Sequence, residues 1–221
     1  MWTEVYQPTE MDDLVGNEGI VDQLYEWLHD WDDVVIRGNK KQIQFRKGFN
    51  WKDQPLPNSR AALLSGPPGI GKTSAVRIVC RKLGYEALET NASDIRNKAS
   101  IQSMLGDLTS NQSLDYFSLA GLKRQKKDDA DTTMHDNVQQ AHDTKKSVII
   151  MDEVDGVGAG DRGGIQDLIQ VIKNSKTPII CICNDRMNKK LQSLLGYCYD
   201  LKFQRPSTEA IMSRIQLICE D

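Results

Sequence analysis

The run Gly66-Pro67-Pro68-Gly69-Ile70-Gly71-Lys72-Thr73 constrains this chain more than any other stretch. It lies between an apolar segment, Ala61-Ala62-Leu63-Leu64, and a helical pattern that starts at Ser74. Glycine, four residues, then glycine, lysine and threonine is the spacing of a phosphate-binding loop: small residues let backbone N–H groups approach phosphate oxygens, Lys72 adds a point charge, and Thr73 offers a hydroxyl to Mg²⁺. The alternative is a glycine turn that binds nothing. Strand, loop and helix in direct succession point to an α/β chain.

The segments that follow support that class. Ser147-Val148-Ile149-Ile150-Met151 and the stretch from Thr177 to Cys183 are continuous apolar, β-rich runs of the kind buried on both faces of a parallel sheet. Gly84 is placed to close the helix after the loop, and a further strand is expected from Tyr85 to Leu88, ending in Thr90-Asn91-Ala92-Ser93-Asp94 and followed by a helix to about Leu108. Upstream, Asn17 can cap a helix with Val21, Leu24 and Leu28 on one stripe, ending about Trp31. Strands alternating with helices imply an open parallel sheet covered on both faces, with ligand at the carboxyl ends of the strands.

Two stretches interrupt the pattern. Residues 32–60 lose periodicity and carry seven cations, among them Arg37, Lys40 and Arg46, against three aspartates. They read as a surface insertion, either a solvated loop or a contact for a polyphosphate backbone. Residues 110–146 form a polar excursion containing Lys123-Arg124-Gln125-Lys126-Lys127. Beyond Phe203, Pro206 and Ser207 start a helix with Ile211, Ile215 and Ile218 at helical spacing, which reads as the opening of another domain.

Composition narrows the setting. The 221 residues are 39 % hydrophobic and 27 % charged, enough for a full α/β core, and the formal charge of −3 gives no overall pull toward nucleic acid. The five cysteines lie in apolar segments without the paired spacing of a zinc site or disulfide framework, which suits a reducing compartment. No run reaches the length of a membrane span and the first residues lack the parts of a signal peptide, so no membrane association is expected.

Asp152-Glu153 ends the apolar run 147–151. A carboxylate leaving a buried strand is well placed to hold Mg²⁺, which makes Asp152 the metal carboxylate, while Glu153 is the candidate base for the water attacking a γ-phosphate. Asn184 ends the next buried run, where its amide either senses the γ-phosphate and water or simply closes a turn.

Taken together these stretches resemble the AAA+ ATPases of the clamp-loader group. The resemblance covers nearly the whole chain and rests on Val5-Tyr6-Gln7-Pro8 with Val15-Gly16, the phosphate loop, Asn91-Ala92-Ser93-Asp94, Met151-Asp152-Glu153-Val154-Asp155-Gly156, Asp161-Arg162-Gly163-Gly164-Ile165-Gln166, Cys183-Asn184-Asp185 and Phe203-Gln204-Arg205-Pro206. The last four favour the large-subunit branch. It implies a P-loop ATPase domain over residues 1–204, with an open parallel five-stranded sheet between helices, and the first helix of a small helical lid domain over 205–221. It also implies an ATP site made by Tyr6, Pro8, Val15, Gly16, Gly66, Pro67, Pro68, Gly69, Ile70, Gly71, Lys72, Thr73, Ser74 and Asn184. Mg²⁺ is held at Thr73 and Asp152, and Glu153, Asn184 and Lys72 carry the catalysis. Small subunits of the group have Ser-Arg-Cys where this chain has Gly196-Tyr197-Cys198. The chain is therefore expected to receive an arginine finger without supplying one by this motif.

Arg96, Asn97 and Lys98 lie in the first turn of one expected helix and Arg162, Gly163 and Gly164 at the start of another, so N–H groups and cations coincide at two helix N-termini. They are either ordinary caps or, as the resemblance implies, sequence-independent contacts to duplex DNA. Leu114, Tyr116 and Phe117 resemble the aliphatic-and-aromatic anchor of clamp-binding segments, one residue short of the usual spacing; a local hydrophobic patch is the other reading. The implied partners are four small subunits in a hetero-pentamer, a sliding clamp and primer-template DNA in the nucleus. Large subunits of alternative or DNA-damage checkpoint loaders, and a module that uses ATP only structurally, remain as other functions.

Overall fold

The computed structural model describes residues 2–42, 56–91, 146–156 and 164–220. Five strands, β1 (Ala61–Ser65), β2 (Glu86–Asn91), β3 (Ser147–Asp152), β4 (Ile179–Cys183) and β5 (Cys198–Lys202), form one sheet in the order β2-β3-β4-β1-β5. Every neighbouring pair is parallel. The expected open parallel sheet between helices is what forms.

Alternation along each strand divides the core into two layers. Ala61, Leu63, Ile149, Met151, Ile179, Cys181 and Cys183 face one side, where they meet Leu168 and Ile172 of α4 (Gly164–Asn174) and Leu194 of α5 (Gln192–Leu195). Ala62, Leu64, Val148, Ile150, Ile180 and Ile182 face the other, against Leu24 and Leu28 of α2 (Glu18–His29) and Val76 and Val79 of α3 (Lys72–Lys82). Burial on both sides is the reason these strands read as unbroken apolar runs. A four-residue helix, α1 (Trp2–Val5), opens the described chain, and α6 (Thr208–Glu220) ends it.

Several boundaries differ from expectation. The helix expected to end near Trp31 stops at His29, and a π-helical turn over Asp32–Ile36 follows, with Trp31 and Val34 buried. The first residues of the expected insertion thus belong to the core. Its other end is held by Trp27 and Trp31, whose indole N–H groups donate to the carbonyls of Ser59 and Arg60, and Lys41 and Asn58 exchange two hydrogen bonds across its base. Residues 43–55, the excursion from 110 to 145 and the helix expected to reach Leu108 lie outside the described residues.

Asn17 does not cap α2 through its side chain. Its backbone is left-handed, φ 62°, and its amide instead binds Gln204 twice: Nδ2 donates to the Gln204 carbonyl at 2.9 Å and Oδ1 accepts the Gln204 N–H at 2.8 Å. Tyr85 is not the first residue of β2, because its N–H still donates to Cys80 in the α3 terminal turn, which Gly84 closes at φ 71° as expected. β2 therefore starts one residue later and runs on to Asn91. β5 had no expectation of its own: Asp200 and Lys202 interrupt its apolar residues, and it forms an edge of the sheet. Four of the cysteines are buried as their apolar segments suggested, but Cys219 on α6 is exposed.

Candidate functional site: a phosphate loop at the carboxyl end of the sheet

β1 stands between β4 and β5, so the loop leaving Ser65 opens beside the carboxyl ends of both neighbours. Gly66, at φ 153°, lies so close to β5 that a Cβ there would sit 2.5 Å from the Phe203 carbonyl oxygen. Gly69 and Gly71 take φ 73° and 86°, a region that costs other residues about 1–2 kcal/mol. α3 then begins at Lys72, two residues ahead of the expected helical pattern.

Lys72 is only 6 % exposed, and its ammonium donates to the Gly66 carbonyl at 2.7 Å, the Pro67 carbonyl at 2.8 Å and Asn184 Oδ1 at 3.0 Å. Its three N–H donors thus have three acceptors. Burial pulls its pKa below the ordinary lysine value, opposed by negative charge at Cys183, Asp152 and Asp155. Burial also pushes the Cys183 thiol up to about 12, so at neutral pH the two carboxylates supply that opposition.

Asp152 ends β3 directly opposite Asn91 of β2. Its Oδ2 accepts the Thr73 hydroxyl at 3.0 Å, and its Oδ1 accepts the Glu153 N–H at 2.8 Å. Glu153 is left-handed, φ 56°, and its Oε2 accepts Asn91 Nδ2 at 3.0 Å. A hydroxyl and a carboxylate in contact are the hard oxygen donors that Mg²⁺ takes alongside water and phosphate. Among the described residues no group of three or more His, Cys, Asp or Glu is arranged to hold a metal, so this pair is the candidate.

Tyr6, Pro8, Val15 and Gly16 line a cavity of about 490 Å³ together with Gly69, Ile70, Gly71 and Ser74, and with Pro206, Ile211 and Ile218 from the end of the chain. The structure thereby brings the N-terminal residues expected around a base to the phosphate loop. Gly16 packs against Pro206, where a Cβ would be 3.3 Å from its side chain. Arg214 of α6 donates to Asp13 Oδ1 at 2.9 Å, and the Thr9 and Glu10 N–H groups donate to Asp13 Oδ2.

Sequence reading missed Asn17, Asp13, Arg214, Asn91 and Asp155. Asn91 stood at the end of an expected strand and opened one of the stretches that carry the resemblance, and Asp155 lay within another, but neither had been given a role at the site. Of the expected DNA contacts, Gly164 is the first residue of α4, while Arg96, Asn97, Lys98, Arg162 and Gly163 lie outside the described residues, as do Leu114, Tyr116 and Phe117. Tyr197 is exposed between α5 and β5, with the Lys173 ammonium 4.7 Å from its ring centroid.

A family profile described as ATPase family associated with various cellular activities (AAA) matches residues 62–206. The chain belongs to the AAA ATPase family. Within this AAA ATPase's relatives, replication factor C subunit 1 of Oryza sativa subsp. japonica is 42 % identical over 99 % of the chain, and that of Homo sapiens 39 % over 99 %. The replication factor C large subunit of Thermofilum pendens is 30 % identical over 99 %. The chain spans 20 %, 18 % and 41 % of the length of these relatives. The resemblance to clamp-loader large subunits that the motifs suggested holds in these comparisons. A solved structure, the Thermotoga maritima RuvB Holliday junction branch migration motor, superposes with a TM-score of 0.52 at 13 % identity, covering 96 % of this chain and 53 % of the other, a likeness of fold alone. No helix among the described residues is long and apolar enough to cross a membrane.

Proposed function

We propose that this AAA ATPase is the nucleotide-binding part of a clamp-loader large subunit, the large subunit of replication factor C, which uses ATP to open a sliding clamp and seat it on primer-template DNA in the nucleus. The observation that carries the reading is the convergence of Lys72, Asp152, Glu153 and Asn184 from three adjacent strand ends, joined by Thr73–Asp152 and Lys72–Asn184 hydrogen bonds. Likeness in sequence to replication factor C large subunits supports a clamp loader over other AAA ATPases.

Each residue has work that follows from its position. Lys72 transfers donors from the Gly66 and Pro67 carbonyls to the β- and γ-phosphates, and Asn184, one bond away, follows that exchange. Thr73 and Asp152 would hold Mg²⁺, which neutralises charge on the phosphates. Glu153 orients and deprotonates the attacking water. Because Asn91 donates to its Oε2, the carboxylate has to leave that bond before it is fully basic. The adenine ring of ATP would lie against Tyr6, Pro8, Val15 and Gly16, and α6 serves as the first lid helix.

The site takes an arginine from one of four small subunits in a hetero-pentamer, as the resemblance implies, while Tyr197 in the arginine-finger position means that this subunit supplies none there. The same residue favours a second reading, a module that holds ATP without turning it over; an alternative or checkpoint loader would share the site and differ in its clamp. In the assembled complex, Lys72→Ala is expected to abolish ATP binding. Glu153→Gln should keep binding and lose at least tenfold in turnover. Unchanged turnover in Glu153→Gln refutes its role as base, and fast turnover by the isolated chain refutes the need for a neighbour's arginine. Pull-down with replicative subunits and clamp separates the loader types.

A further inference from the structure

We infer that Asp155 is a positioning residue that aims Asn184 at the phosphate end of the site. The inference rests on the reading of Asn184 as the γ-phosphate sensor. It starts from where the sheet stops. β4 is held by β3 only as far as Met151 opposite Cys181, and by β1 as far as Ser65 opposite Cys183. Asn184 is the next residue, so no strand ladder fixes its direction. Its amide is taken by Asp155 instead: Oδ2 accepts the Asn184 N–H at 3.0 Å and the Asp185 N–H at 3.2 Å. The Asp155 carbonyl accepts Asn188 Nδ2 at 3.4 Å, holding the far side of the same turn.

Asp155 is itself well anchored. It follows Val154, which is 0 % exposed, in a 3₁₀ turn over Val154–Gly156, and the Gly156 N–H donates back to the Glu153 carbonyl at 2.9 Å. One carboxylate oxygen receiving two main-chain N–H groups is a charge-assisted clamp on a backbone that would otherwise pivot. Asn184 then places Oδ1 at 3.0 Å from the Lys72 ammonium. Asp155 is three residues from Asp152 and two from Glu153, so the turn that follows the metal carboxylate and the base also holds the sensor. Residue positions in such a set matter at the ångström scale, where small displacements cost up to about a hundredfold in rate.

The test uses the full-length subunit in its assembled complex, measuring kcat, the Kd of a fluorescent ATP analogue, and amide hydrogen exchange at residues 184 and 185. Asp155→Ala is expected to lower kcat about tenfold or more, to leave Kd within about threefold, and to speed exchange at the two amides. The Asp155→Ala, Asn184→Ala double variant should be no slower than Asn184→Ala alone, because the first residue acts through the second. Asp155→Asn, which keeps an acceptor oxygen, should recover most of the rate. Multiplicative losses in the double variant overturn the inference, as does a normal kcat in Asp155→Ala beside a slow Asn184→Ala. A normal kcat in Asn184→Ala overturns the sensor reading itself, and the inference with it. If Asp155→Ala fails to assemble, Asp155→Ser, whose shorter side chain cannot reach both N–H groups, takes its place: faster exchange with slower turnover supports the role, and unchanged exchange or unchanged turnover ends it.

Discussion

Asn17 offers the sharpest quantitative test, because two separable effects meet in one side chain. Its amide makes two hydrogen bonds to the Gln204 backbone, at 2.9 and 2.8 Å, and its own backbone sits at φ 62°. Asn17→Gly removes both bonds while keeping a residue that accepts the left-handed conformation. Intramolecular hydrogen bonds contribute about 0.5–1.5 kcal/mol each, and these are exposed, so a loss of about 1–2 kcal/mol is expected. Asn17→Ala loses the same bonds and adds left-handed strain, placing it about 1 kcal/mol below the glycine variant. Asn17→Asp keeps the acceptor and loses the donor, so it should fall near the midpoint between wild type and glycine. Equilibrium urea unfolding, followed by the fluorescence of buried Trp27 and Trp31, reads all three. If the alanine and glycine variants are equally stable, the argument from backbone strain is wrong; if glycine matches wild type, the two bonds contribute nothing. Because Asn17 ties the Gly16 side of the cavity to the segment before α6, nucleotide affinity should fall in the same order as stability.

Other consequences are simpler to test. Gly66→Ala puts a Cβ 2.5 Å from the Phe203 carbonyl, so it should destabilise the chain by at least about 1–3 kcal/mol and weaken nucleotide binding; a wild-type melting temperature contradicts that packing. In native protein Cys219 alone should react with a thiol reagent at neutral pH, rising to five thiols in urea, and early modification of a second cysteine counts against the buried set. Burial raises Cys80 and Cys183 from 9.0 to about 12, so the folded state holds their protons more tightly and stability should fall between about pH 9 and 12. Asp13 is the opposite case: the Glu10 and Thr9 N–H groups, with Arg214, lower its pKa below the ordinary 3.8. Its contribution is present above that value and lost as pH falls through the lowered one, so Asp13→Asn should be weaker than wild type at pH 7 and converge with it as pH falls below 3.8.

The parts of the molecule that the sequence made legible are those whose partners are close in the chain or uniform in character. The phosphate loop carries its geometry in its glycines, and β3 and β4 announce burial on both faces by unbroken apolar runs. Asp152, Glu153 and Asn184 were readable because each follows such a run. β5 was not, since an edge strand with Asp200 and Lys202 has no apolar run to show. Asn17, Asp13 and Asp155 were hidden for another reason: their partners, Gln204, Arg214 and Asn184, are selected by the folded sheet and lie 29 to 201 residues away. A polar side chain bonded to distant backbone leaves no period and no spacing to find.

The order of strands has a consequence for a chain leaving the ribosome. β1 carries the phosphate loop, yet the strands that occupy its two edges, β4 and β5, are the last two to be synthesised. Until Ile179 emerges, β1 has neither hydrogen-bonded neighbour, while β2 and β3 are already able to pair with each other. The nascent chain therefore carries an apolar segment with two open edges until β4 is made, the condition under which strands pair wrongly or recruit chaperones. Ribosome stalling or premature termination before residue 202 should release chains whose nucleotide loop is present in sequence but has no completed sheet to stand on.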